Sequence, residues 1–385
     1  MAMLADTVDG VIGVDTHRDT LTAAAVTNLG GVLAQATTSA DAAGYQRLLG
    51  FADRQVPGRR LWAVEGAGSF GAGLTAVLQQ RGEWVVEVGR PKRPASRSGA
   101  KSDALDAIRA AREVLGQDRP ALPRRRGARE ALRALLTTRR SATTARVAAV
   151  GQLKALIVGA PEELRAELRG QPTSRQVAYC ASLRERPTRS LEHRATIRAL
   201  RATAQRIQFL AAEAEQLQAE LTVLVWAAAP WLLEVPGVGP LSAAQVLVSW
   251  SHAGRFRSEA AFAALAGTNP IPASSGQVTR YRLNRGGDRQ LNRALPTILL
   301  VRLRTDPDTR AYLTRRTAEG KSRRDAKAMP QARDRPPAVP AAGALRPTRR
   351  RDPQGHLTAH SSLSLLMVTV GLRAKGCVGV RLPSG

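Results

Sequence analysis

The feature that most constrains this chain is an alternation of strand-like and helix-like segments over residues 8–115. Apolar runs mark strands near 11–15, 20–27, 31–36, 61–65 and 84–88, and helical spacing marks helices near 41–54, 70–81 and from 103 onward. Such interleaving predicts an α/β layer domain, because a sheet has to bury its faces under helices. Four acids inside this stretch sit where solubility does not explain them. Asp15 ends the run of Val11, Ile12 and Val14, and a second run from Leu21 to Val26 follows, so the segment reads as strand, turn, strand with a carboxylate at the tip. Glu65 repeats the pattern after Leu61 to Val64. Asp103 and Asp106 stand three apart at the start of a helical stretch ending near Arg112, which places both on one face. Carboxylate oxygens are the hard ligands that Mg²⁺ or Mn²⁺ prefers, and two such ions roughly 3.5–4 Å apart can clamp the attacking and leaving oxygens of a phosphodiester. Taken singly, Asp15 also fits a turn, and Asp103 with Asp106 also fits the positive end of a helix capped by Ser102.

The charge balance names the class of substrate. With 58 Lys+Arg against 31 Asp+Glu, the chain carries a formal net charge of +27, far beyond what solubility asks of 385 residues. Its partner is therefore expected to be a polyanion. Arg outnumbers Lys, and guanidinium forks match phosphate oxygens in pairs, which favours nucleic acid. A high-GC coding bias accounts for part of the Arg excess but for little of the net charge. The length leaves room for two or three domains, and 43% apolar residues with only 4% aromatics predict aliphatic cores. Cys180 and Cys377 are far apart and form no CxxC pair, so neither a disulfide scaffold nor a cysteine zinc site is expected. No apolar stretch approaches the ~20 residues of a membrane span, and the amino end lacks a basic segment followed by an apolar one. A soluble protein of the cytoplasm, associated with the nucleoid, is the expectation.

From about 125 to 230 the chain is rich in Ala, Leu and Arg with long helical periodicity, interrupted by Pro161, Pro172 and Pro187. Ile207, Leu210, Ala214, Leu217, Leu221 and Leu224 occupy successive a and d positions, which predicts a coiled coil; the same spacing fits an amphipathic helix packed inside one chain. The following WLLEVPGVGPLSAAQVLV reads as two helical stretches joined by Pro-Gly-Val-Gly-Pro. It resembles a helix-hairpin-helix element, in which Gly237 and Gly239 let the backbone approach a phosphate, although a plain tight turn would look similar. Residues 262–295 bring Ser274, Ser275 and Gly276 just ahead of Arg280, Arg282, Arg285, Arg289 and Arg293. A serine hydroxyl in a cationic pocket can attack phosphorus while arginines stabilise the charge that develops. Alone, Ser-Ser-Gly is also an ordinary turn.

Taken together, the order Asp, Glu, AspxxAsp, the coiled-coil middle, VPGVGP and the string AGTNPIPASSG…YRLNRGGDRQLNRAL…TAEGKS resemble the DEDD insertion-sequence recombinases of the IS110 family, over residues 8 to about 327. The resemblance implies a RuvC- or RNase H-like α/β domain at 8–115, a helical linker and coiled coil at 116–230, and a mainly α-helical hairpin and serine domain at 231–328. It further implies Asp15, Glu65, Asp103 and Asp106 as ligands of Mg²⁺ or Mn²⁺, Ser275 as the nucleophile with Ser274 as the adjacent alternative, and a bridge RNA that pairs with target and donor DNA. A DNA transposase acting as a dimer or tetramer is the reading that follows. Two others stay open: a metal-dependent endonuclease resembling junction resolvases, and an inactive nucleic-acid-binding remnant.

Three further features stand apart from this pattern. Gly66, Gly68 and Gly71 spell GxGxxG between a strand and a helix, with Glu83 and Glu87 downstream, but a dinucleotide site calls for neither the net charge nor the distant arginines. His17 reads as a turn residue, and no histidine receives a metal role. After GKSRRDAKAM the chain departs from the family's basic helical ending into a segment rich in Pro and Arg, so 329–385 is expected to be a disordered, frameshifted tail.

Overall fold

A computed structural model describes residues 3–89, 102–118, 120–124, 126–252, 255–256, 258–268, 271–272, 281–282 and 286–320. The chain divides into two units, Met1–Arg125 and Arg126–Gly385.

In the first unit β1 (Gly10–Thr16), β2 (Thr20–Thr27) and β3 (Val32–Ser39) form an antiparallel meander. After α1 (Ala42–Gln55), β4 (Arg60–Glu65) returns parallel to β1. Then come α2 (Ala72–Gln80), β5 (Trp84–Val88), parallel to β4, and α3 (Asp103–Leu115). The sheet order is β3-β2-β1-β4-β5, a mixed α/β domain consistent with a RuvC-like fold. Every residue of β1 is buried, because helices cover both faces of the sheet's middle strand. Ile12 and Val14 share a core with Leu48 of α1 and with Leu74 and Leu78 of α2. Val11, on the opposite face, shares one with Leu61, Ala63, Val86 and the Ala110, Ala111 and Val114 stripe of α3. Each such aliphatic side chain, fully withdrawn from water, contributes about 1.5–3 kcal/mol.

Gly13 determines how closely α3 can lie on the sheet. A Cβ there would stand 2.0 Å from the carbonyl oxygen of Ala107, so only glycine lets the helix backbone rest on β1. Below β4, Trp62 is fully buried and donates from Nε1 to Glu83 Oε2 at 2.9 Å, and Arg60 Nε donates to the same oxygen at 3.0 Å. Glu83 is thus occupied in fastening the sheet, which removes it from any ribose-binding role.

The second unit is helical: α4 (Ala128–Val158), α5 (Glu162–Leu168), α6 (Thr173–Ser182) and α7 (Leu191–Ala228), then α8 (Pro240–Trp250), α9 (Glu259–Leu265), the two-residue strands β6 (Ile271–Pro272) and β7 (Tyr281–Arg282), α10 (Arg289–Thr305) and α11 (Pro307–Ala318). Pro161 and Pro172 stand at the caps of α5 and α6, where a missing N–H costs nothing. Helices α4 and α7 pack antiparallel. Leu132 shares one core with Leu221 and Val225, while Leu153 and Ile157 share another with Ile197, Leu200 and Ala204. Of the heptad positions, Ile207 and Leu221 are buried by this packing and Leu210, Ala214, Leu217 and Leu224 are half-buried. The partner of the heptad stripe seen here is a helix of the same chain. Cys180 lies in the α4–α7 core, where burial pushes its thiol up to about 11 and leaves it protonated and inert at neutral pH.

The segment before VPGVGP is not a full helical partner of α8 but a single 3₁₀ turn, Pro230–Leu232. Gly237 has φ +82° and its missing Cβ would meet the Ile298 carbonyl oxygen at 2.6 Å, so its glycine character serves the packing of this turn against α10. The core there, with Val235, Val238, Val246, Leu247, Leu291, Leu295 and Ile298, also takes in Leu132 and Leu221. No helix among the described residues is long and apolar enough to cross a membrane.

Candidate metal centre

Asp15 sits one residue from the end of β1 and is only 7% exposed. Its depth follows from the strand's central place. Parallel pairing of Val14 with Val64 brings the ends of β1 and β4 side by side, and Thr16 Oγ1 donates to the Glu65 carbonyl oxygen at 2.8 Å, tying the two ends together. Glu65, half-buried, therefore lies on the strand next to Asp15. This is the carboxyl edge of the parallel strands, where open α/β sheets place their ligands.

Gly13 and Asp15 project to the same face of the sheet, two residues apart. Ala107 rests on Gly13, and Asp103 precedes Ala107 by about one helical turn, which carries its carboxylate to the level of Asp15. His17 completes the group. Its backbone N–H donates to the Thr20 carbonyl at 2.9 Å and closes the β1–β2 turn, while ring Nε2 stands 3.3 Å from Asp15 Oδ2 and 3.3 Å from Asp103 Oδ1. One ligand atom from each of the three residues lies within 4.8 Å of the others. Nε2 is shielded from solvent, yet it is aligned for a hydrogen bond with neither carboxylate.

The electrostatics agree with the geometry. Burial raises the Asp15 carboxyl above its ordinary 3.8, and the nearby charges of Asp103 and Asp106 raise it further against the opposing effect of His17. A buried polar nitrogen without an aligned partner, set between two converging carboxylates, fits a divalent cation in place of a hydrogen-bonded network. Asp15, His17 and Asp103 thus present a donor set that can hold a divalent cation, while Asp106 is close enough for its charge to act on Asp15. Asp106 Oδ1 accepts from Arg109 Nη1 at 2.8 Å, so part of its charge is held by its own helix.

The sequence reading placed Asp15 and Asp103 in this group and missed His17. Its turn role is present as expected, but the ring also enters the acidic cluster. A signal existed, since a residue two positions after Asp15 returns to the same side of an extended chain.

Of the residues expected to hold nucleic acid, Arg289 and Arg293 lie one turn apart on the exposed face of α10, and neither pairs with a carboxylate among the described residues. Gly239 opens α8 with no side-chain cap and with empty space where a Cβ would stand. Arg282 falls in β7, paired with Ile271. Ser274, Ser275, Arg280 and Arg285 lie outside the described residues, as does the tail at 329–385. In the GxGxxG loop, Gly66 adopts φ +63° and a Cβ on Gly71 would meet Val64 Cγ1 at 2.9 Å, so these glycines have packing reasons of their own.

Comparison with known proteins bears on the whole arrangement. A DEDD transposase family model of the IS110 type matches residues 12–160, and the model of the transposase IS116/IS110/IS902 family matches residues 229–314. The chain is 36% identical over 109 residues to the insertion element IS110 uncharacterized 43.6 kDa protein of Streptomyces coelicolor, covering 28% of this chain and 27% of that one. It is 36% identical over 92 residues to the insertion element IS900 uncharacterized 42 kDa protein of Mycobacterium paratuberculosis, covering 23% of each. The matched stretches thus span about a quarter of the length of these relatives. With an acid-lined centre on a RuvC-like sheet and two family models matched in series along it, the chain belongs to the IS110 family of transposases.

Proposed function

We propose that this protein cuts and exchanges DNA strands as the transposase of an insertion sequence, with a divalent ion at the carboxyl edge of β1 and β4 and Ser275 as the nucleophile. The observation that carries this reading is the convergence of Asp15, Asp103 and His17 around one solvent-shielded nitrogen. Asp15 and Asp103 would supply anionic oxygens and His17 a nitrogen to Mg²⁺ or Mn²⁺, with Glu65 and Asp106 close by. When bound, such an ion supplies Lewis-acid polarisation of a phosphodiester oxygen.

The chain's own residues have distinct tasks. Asp15 ligates as the carboxylate, the form that burial and the charges of Asp103 and Asp106 disfavour, so a cation at this place would offset that cost. Arg109 restrains Asp106, and the start of α3 places the two acids of its first turn in the positive field of its free N–H groups. In the proposed covalent step the Ser275 oxygen bonds to phosphorus as the bond from phosphorus to the bridging deoxyribose oxygen breaks. That oxygen keeps the electron pair and ends as a hydroxyl with the proton that serine releases through solvent, while Arg280, Arg282, Arg285, Arg289 and Arg293 balance the charge that develops. Gly239 and the uncapped start of α8 supply a backbone phosphate contact, together with Gly237 in the same turn. The net charge of +27 supports RNA as well as DNA as a partner, and the proposed specificity rests on a bridge RNA carried by a homo-oligomer.

The test pairs two readouts. Calorimetric titration with Mn²⁺ should show binding that Asp15→Asn removes. A DNA substrate trapped on the protein should show a covalent adduct that Ser275→Ala removes while nucleic-acid affinity stays within about twofold, because one hydroxyl contributes little to a surface dominated by arginines. Metal-dependent cleavage without any adduct would replace this reading with a metal-only endonuclease, and an adduct lost only in Ser274→Ala would move the nucleophile by one residue.

A further inference from the structure

The strongest feature outside the metal centre is a groove of about 380 Å³ in the helical unit, lined by Arg139, Arg140 and Thr144 of α4, Leu241 and Gln245 of α8, and Gln290 at the start of α10. Its chemistry is one-sided. Helix α4 carries no Asp or Glu from residue 131 to 158, and no acid lines the groove. Among the described residues no carboxylate pairs with Arg139, Arg140 or with Arg146 one to two turns further on. Arg139 is the most committed of the three. One terminal nitrogen donates to Gln218 Oε1 at 2.8 Å, which fixes the guanidinium, and Nε is withdrawn from solvent without any partner. Burial, and then the neighbouring charge of Arg146, lower its hold on the proton, the signature of a cation kept where nothing yet neutralises it.

An unneutralised guanidinium half-withdrawn from water is costly unless an anion completes it. The groove also offers more than charge. Thr144 is exposed on its rim, and the Gln290 side chain makes no hydrogen bond within the described residues, which leaves donors for an extended ligand. Below it, α8 opens with Pro240 at its first position and no side-chain cap, so its first amide groups point from the same end as Leu241. A ligand with repeating anionic groups on an extended backbone matches this set, whereas a compact acidic peptide would leave the arginines beyond it uncovered.

We propose that the groove between α4 and α8, continued along the exposed face of α4 to Arg146, is a second nucleic-acid site, in which Arg139 and Arg140 at the groove and Arg146 beyond it hold phosphates of one phosphodiester strand. None of Arg139, Arg140 and Arg146 belongs to the arginine set that follows Ser275 in the sequence, and the site needs no metal. Its phosphates can come from RNA or from DNA.

The experiment uses the full chain in excess chelator, so that failure of the metal reading leaves it untouched. Fluorescence anisotropy measures binding of three labelled probes of one sequence, a 20-nucleotide single-stranded RNA, the corresponding single-stranded DNA and the duplex DNA, over a range of salt. Two triple variants are compared: R139Q/R140Q/R146Q, which keeps a polar side chain at each position, and R169Q/R175Q/R206Q, which removes the same charge from exposed positions elsewhere in the unit. The groove variant is expected to bind about tenfold to a hundredfold more weakly on at least one probe, with the salt slope reduced by about 2–3, roughly one counterion per lost contact. The control should lose far less. Loss confined to the RNA probe identifies RNA as the occupant, and loss confined to a DNA probe identifies DNA. If R139Q unfolds the chain by circular dichroism, the pair R140Q/R146Q carries the test with a slope change of about 1–2. Equal losses in groove and control variants on all three probes would overturn the proposal.

Discussion

The acidic end of the sheet and the basic face of α4 show two opposite ways of concentrating charge. Asp15, Asp103 and His17 come from two elements separated by nearly ninety residues, and a buried strand, a glycine contact and a turn hydrogen bond hold them. Arg139, Arg140 and Arg146 come from one helix and are brought together by local spacing alone. The difference reflects cost. Short carboxylates cannot reach far, so clustering them requires a rigid scaffold that overcomes their repulsion. Arginine has a long stem and keeps its head wet, so a helix face suffices. The first arrangement should therefore be brittle to single substitutions and the second should erode gradually.

The largest expected effect is loss of the carboxylates themselves. Asp15→Asn or Asp103→Asn should lower metal-dependent strand cleavage by about three orders of magnitude or more, because a neutral amide cannot replace an anionic ligand. Excess chelator should reproduce this in the wild type. Cleavage at normal rates in chelator, measured on a labelled duplex, would break the comparison at its root.

Almost as severe, if the scaffold matters as argued, is Gly13→Ala. A single methyl would meet the Ala107 carbonyl at 2.0 Å, so α3 has to move and Asp103 with it. Overpacking of this kind costs about 1–3 kcal/mol, and a displacement near 1 Å is enough to spoil a ligand set. Thermal unfolding should fall by several degrees and Mn²⁺ affinity by at least about tenfold. A variant that binds metal like the wild type would show that Asp103 does not depend on that contact.

Gly13 also marks the limit of what the sequence tells. The strands and helices of the first unit were legible almost to the residue because strand runs and helical spacing alternate cleanly, and Asp15, Glu65, Asp103 and Asp106 stood out as acids at the ends of such runs. What residue patterns could not convey was tertiary contact. Nothing in GVIGVDT says which glycine carries a helix, and the alternation that returns His17 to the side of Asp15 does not say that its ring reaches Asp103 while Asp106 turns toward Arg109. The heptad stripe on α7 shows a related limit, since a and d spacing reports an apolar seam but not whose helix fills it. Pro296 inside α10 shows the converse, a local breaker overridden by the packing of Leu291, Leu295 and Ile298 on either side.

A smaller effect separates His17 from the acids. His17→Gln should keep both carboxylates and most of the turn, whose hydrogen bond comes from the backbone. Metal affinity should fall by about tenfold to a hundredfold, the range for a supporting ligand. Electron spin echo of bound Mn²⁺ should show nitrogen modulation in the wild type that the variant lacks. Nitrogen modulation that survives the substitution would assign the coupling to another group.

The smallest expected effect concerns stability without metal. The folded protein holds the Asp15 proton more tightly than the unfolded chain does, because burial and the neighbouring carboxylates disfavour the charged form. With more protons bound in the folded state, stability falls as pH rises from the ordinary 3.8 through the raised value, and the full penalty persists at neutral pH. Asp15→Asn removes that charge. In chelator at pH 7 the variant should therefore unfold at a higher temperature than the wild type, a gap that narrows as pH falls toward 3.8 and the folded wild type binds its proton. Saturating Mn²⁺ should reverse the order by stabilising only the wild type, by about 2.7 kcal/mol at a hundred times the dissociation constant. If Asp15→Asn is less stable than the wild type at every pH in chelator, the carboxylate is part of the scaffold and not a charge held in waiting for a cation.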